Sequence, residues 1–61
     1  MANTVDIKGM AEKIRVLRHD AEALRAMSGG MQAVDRNVDR ILANVRMLEI
    51  DISDVAEILN A

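Results

Sequence analysis

Met27-Ser28-Gly29-Gly30-Met31, MSGGM, stands between two long runs of regularly spaced apolar residues, and how it is read decides the fold. On its N-terminal side Ile7, Met10, Ile14, Leu17, Ala21 and Leu24, continued by Ser28 and Met31, follow one another at alternating steps of three and four. On its C-terminal side Val34, Val38, Ile41, Val45, Leu48, Ile52, Val55 and Leu59 do the same without a polar interruption. Each run is the narrow stripe of a coiled-coil seam, seven residues to every two turns. From Ser28 through Met31 to Val34 two three-residue steps come in succession, so the stripe loses phase there. A glycine costs about 1 kcal/mol relative to alanine inside a helix and readily takes the left-handed conformation that ends one. Phase slip and glycine pair agree on a turn, with Gly29 just past the end of the first helix. The competing reading is one continuous helix through the glycines, forming a long parallel dimer.

The spacing predicts a helix over residues 4–27, a Ser-Gly-Gly turn at 28–30 and a helix over 31–60, a single hairpin spanning 1–61. At 1.5 Å per residue the helices are about 36 and 45 Å long. Asn3 or Thr4 can cap the first helix, which leaves Asp6 in its first turn, where the helix dipole favours an acid. The stretch LEIDIS (48–53) alternates like a strand, but the seam passes through Leu48 and Ile52 and makes it helix. A turn this short joins antiparallel neighbours.

Sixty-one residues allow one small domain. A chain of this length buries only about 60% of the surface its unfolded form exposes, so it needs a staple. With no cysteine, disulfides and thiolate metal sites cannot serve as staples, and association with another copy becomes the leading expectation. A lone hairpin cannot cover two stripes, whereas two hairpins in a four-helix bundle can. The seam residues expected to carry that association are Ile14, Leu17, Leu24, Val38, Ile41, Val45, Leu48 and Ile52. With Ile7, Ile14, Ala21, Val38, Val45 and Ile52 at heptad position a, the flanks of the first seam carry Lys13, Arg18 and Arg25, with Asp20 as an exception. Those of the second carry Asp35, Glu49 and Asp51, so opposite charges can meet, as Arg25 with Asp35 near the turn. Exposed pairs contribute only about 0.2–1 kcal/mol each and choose orientation more than they add stability. Residues 1–46 hold all eight basic groups and 47–61 hold four acids and no base, which favours a head-to-tail arrangement of two hairpins.

Little in the chain resembles chemistry. VDRNVDRI (34–41) repeats Asp-Arg one helical turn apart, but Val34, Val38 and Ile41 face the seam and explain the period of four. Arg36 and Asp39, three residues apart, can pair on the solvent side. Asp35 and Asp39 lack the further ligands a hard cation needs. The Glu-x-x-His pattern of a bundle metal site is absent, and the lone His19 falls at an outward position. Ser28 and Ser53 have no histidine base at hand, and SGG is too short for a phosphate-cradling loop. The expectation is no enzyme, no cofactor and no metal.

Nucleic acid is disfavoured. Arg36 and Arg40, with Arg15, Arg18 and Arg25, could present a basic face, yet the net charge is −2 and acids are interleaved with the arginines. The chain has no aromatic residue to stack on a base. The longest uncharged run, Ala26–Val34, is far short of the roughly 20 residues that span a membrane, and MANTVDIKGM lacks export-signal features, so the cytoplasm is expected. One feature exceeds the background. Met47 and Ile50, with Ala43, form a second stripe opposite the seam, and Val16 lies near their level, so Val16, Met47 and Ile50 are a candidate protein-partner surface. The sequence thus predicts an all-α helical hairpin that homodimerises, or forms a tetramer, as a non-catalytic adaptor, chaperone-like or regulatory module. The alternative is a small dimeric RNA-binding regulator.

Overall fold

A computed structural model describes residues 5–60, apart from the Asn60 side chain. Two helices, α1 (Ile7–Met27) and α2 (Gln32–Asn60), fold back on each other as a hairpin 44 Å long. The continuous-helix reading is excluded by the turn. Ser28 closes α1, its N–H donating to the Arg25 carbonyl at 3.1 Å. Gly29 and Gly30 follow with φ of +62° and +85°, the left-handed region in which an L side chain is strained. The Met31 N–H then donates to the Ser28 carbonyl at 3.2 Å, and the Ser28 hydroxyl accepts from the Gly30 N–H at 3.3 Å.

The start of α1 differs from the sequence expectation. Asp6 is not in the first turn but caps it, its carboxylate accepting from the Gly9 N–H at 2.8 Å. Asn3 and Thr4, the caps expected from sequence, lie outside the described residues. A β-carbon on Gly9 would run into the Asp6 carboxylate, so in this geometry any other residue there would require the Asp6 side chain to shift. The signal for this was present: an acid directly ahead of the first seam residue, Ile7, is itself a helix-start pattern.

The seam does not pack as one stripe. Its a positions face the neighbouring helix: Ile14, Ala21, Val38 and Val45 are buried, Val38 to 1% exposure, and Ile7 and Ile52 are half-buried. Most of its d positions do not: Met10, Leu17, Leu24, Ile41, Leu48 and Val55 remain between 36% and 49% exposed. At the two ends of α2 Val34, at d, is half-buried and Leu59, at a, is exposed. The reason is geometric. A helix with a single neighbour can turn only one edge of its stripe toward it, and between antiparallel helices the d positions of both emerge on the same side. LEIDIS is helical throughout, as the seam requires.

Candidate interaction faces

The hairpin has two unlike faces, separated by the plane through the two helix axes. On the e side, polar side chains tie the helices together. Arg18 lies across the groove from Glu49, its Nε and Nη2 donating to the two carboxylate oxygens at 2.8 Å each. That is the bidentate geometry in which guanidinium and carboxylate match best. The hydrogen bond from Arg18, opposed by partial desolvation and reinforced by the guanidinium charge, holds the Glu49 carboxyl below its ordinary value of 4.5. Nearer the turn Arg25 pairs with Asp39, and the Ser28 hydroxyl donates to Asp35 at 2.7 Å. The expected Arg25–Asp35 pair is therefore replaced. Ser28 lies close enough to take Asp35 for the turn, and the long Arg25 side chain reaches one helical turn further. Asp39, expected to pair with Arg36, is engaged across the hairpin instead.

On the d side no such tie exists among the described residues. Leu17, Leu24 and Ile41 line one open groove with Asp20 and Ala21, and Met10 and Leu48 line a second with Lys13. Along the face the side chains are apolar in the middle and charged only at the rim. Of the eight seam residues named from sequence, Ile14, Val38, Val45 and Ile52 thus hold the hairpin together, while Leu17, Leu24, Ile41 and Leu48 present the open face.

Val16, Met47 and Ile50 are all exposed, at 40%, 55% and 39%. They line none of the grooves described above, and the heptad puts Val16 and Met47 at c positions on the outer flanks of opposite helices. Arg36 and Arg40 are exposed and form no ion pair among the described residues. His19 is exposed as well. Within α1, Arg15 and Glu12 pair at 2.5 Å, which covers the outside of the helix and contributes nothing across the hairpin. No group of three or more His, Cys, Asp or Glu side chains able to hold a metal occurs among the described residues, and none of their helices is long and apolar enough to cross a membrane.

Comparison of the chain with protein-family models, with curated proteins and with solved structures finds no match in any of the three.

Proposed function

We propose that this hairpin is a non-catalytic protein–protein interaction module, adaptor, chaperone-like or regulatory, that works as a homodimeric four-helix bundle in which the d faces of two copies cover each other. One observation carries the reading. Six large side chains of the coiled-coil repeat are left about half exposed on a single face, in line, with no described residue to cover them. Completing the burial of each contributes on the order of 1 kcal/mol. Two copies together reach about 10 kcal/mol, the scale of the roughly 4–15 kcal/mol that association costs. The apolar face is thus of the size that pairing needs, while the e face is already occupied by its own ion pairs. Residues outside the interface remain for other partners, with Met47, Ile50 and Val16 among the exposed apolar ones.

Light scattering across a concentration series tests the dimer: twice the chain mass at micromolar concentration supports it, and a compact, cooperatively melting species of single-chain mass overturns it. For the partner surface, Met47→Glu with Ile50→Lys should leave helicity and dimer mass intact and abolish capture of a co-purifying protein. Melting of the double variant would mean that these side chains belong to the fold. The RNA reading has one observation in its favour, two exposed arginines one turn apart on α2. It requires retention on immobilised RNA that weakens steeply with salt and with Arg36→Ala plus Arg40→Ala. Absent or salt-insensitive retention removes it.

A further inference from the structure

The occupant of the d face and its register can be read from the rim of that face, given the homodimer just proposed. Lys13 and Asp20 stand at successive g positions of α1, each lining one of the two open grooves. Unlike Arg18 and Arg25 on the opposite face, neither makes an ion pair among the described residues. Leu17 lies between them and is also the midpoint of α1, ten residues from each end of Ile7–Met27.

We infer that a second copy docks head to tail, α1 antiparallel against α1, with the two-fold axis passing through Leu17 and with Lys13 of each copy beside Asp20 of the other. Helix arithmetic supports this register. Lys13 lies four residues before Leu17 and Asp20 three after, so across an axis at Leu17 the two differ in height by one residue, about 1.5 Å. The overlap of α1 with α1 is then complete, and two opposite-charge contacts form by symmetry. Leu48 shares a groove with Met10, and one heptad nearer the turn on each helix Ile41 shares one with Leu17 and Leu24, which in an antiparallel hairpin sets Ile41 near the level of Leu17. The same axis therefore brings α2 against α2 at Ile41, with Asn37 of one copy beside Asn44 of the other, a neutral pair. It also carries the exposed Val55 and Ile58 of one copy toward the turn of the other, where Met27 and Met31 are exposed.

Other arrangements lose these contacts. Head to head, α1 lies against α2 of the other copy: Lys13 and Asp20 then face Asn44 and Asn37, and Asp6 faces Asp51, a like-charge contact made twice. Sliding the head-to-tail pair by one heptad layer sets Asp20 against Asp20, or Lys13 against Lys13. Charge at the rim thus selects one arrangement where the apolar surface would accept several.

Charge reversal tests it. Lys13→Glu sets a second carboxylate beside Asp20 at both contacts, and Asp20→Lys sets a second ammonium beside Lys13 at both. Each single variant should dimerise about tenfold more weakly. An equimolar mixture of the two should form the mixed dimer in preference to either parent, because both charged contacts then join an acid of one copy to a lysine of the other, whereas in each parent both join like charges. The double variant should regain the affinity of the starting protein. Sedimentation equilibrium reads the affinities, native mass spectrometry the mixed species, and circular dichroism checks that each variant remains helical. If the unaltered chain is monomeric, the dimer itself is wrong. If the unaltered chain dimerises but the single variants do so equally well and mix statistically, the dimer stands and this register falls.

Discussion

The e and d faces of the hairpin are built from the same heptad repeat and end in opposite states. On the e face Arg18–Glu49, Arg25–Asp39 and Ser28–Asp35 each join α1 to α2. On the d face Leu17, Leu24, Ile41 and Leu48 lie open, and no described polar side chain crosses. A face whose charges are satisfied within the chain has little to offer a second copy. A face whose leucines are half wet, and whose rim charges find no partner among the described residues, is incomplete. The difference teaches which face the chain completes by itself and which it leaves open, the latter being the one the proposed dimer would cover.

The contrast can be broken most forcefully at the buried layer between the helices. Val38→Asp puts a carboxylate where only 1% of the residue is exposed, among apolar neighbours. It should cost about 4 kcal/mol or more and remove the helical circular dichroism signal at 25 °C. On the d face, Leu17→Asp is the sharper test. Leu17 is 49% exposed, so a self-sufficient hairpin would tolerate the change. A dimer with Leu17 on its axis would lose about 2 kcal/mol per copy, read as a monomeric mass and reduced thermal stability. Unchanged mass and melting would show that the two faces do not differ in function.

The turn comes next in size, because it sets which residues share a face. Gly29→Ala forces an L side chain to φ +62° and should destabilise the hairpin by about 1 kcal/mol in urea unfolding, without altering its association mode. The smallest effect is expected on the e face. Glu49 has its carboxyl held below 4.5 in the folded chain, so its contribution is present above that value and is lost as the pH falls through the lower, folded value. Acid titration of stability should therefore slope downward below about pH 4.5. Glu49→Gln should reduce that slope, to which Glu12 paired with Arg15 also contributes, and change stability at neutral pH only slightly, since the pair lies at the surface with each side chain about one third exposed. A loss at neutral pH as large as that of Leu17→Asp would reverse the ranking of the faces.

The hairpin is legible because its two signals are local: a period of seven in the apolar residues and a phase slip over Gly29-Gly30. The division of charges is legible too, as in Arg18 and Glu49, which both flank the seam. What escapes are choices between near neighbours. Asp35 and Asp39 are both within reach of Arg25. The selection of Asp39 depends on the Ser28 hydroxyl holding Asp35, which no spacing rule encodes. Asp6 reads as a first-turn residue from sequence because Asn3 and Thr4 are equally good caps in isolation. Among the apolar side chains, Val16, Met47 and Ile50 stand out in the sequence as off-repeat, whereas the exposure of Leu17 and Leu24, which are on it, shows only in the folded hairpin.

The sequence alone determined that there are two helices, where the chain reverses and which residues form each stripe, because helical periodicity and glycine's conformational freedom act over a few neighbouring residues. Only the tertiary structure decided that each stripe divides, its a edge buried between α1 and α2 and its d edge left open. That division arises because a helix with one neighbour can turn only one edge toward it, and which edge it turns depends on how two segments far apart in the chain settle against each other.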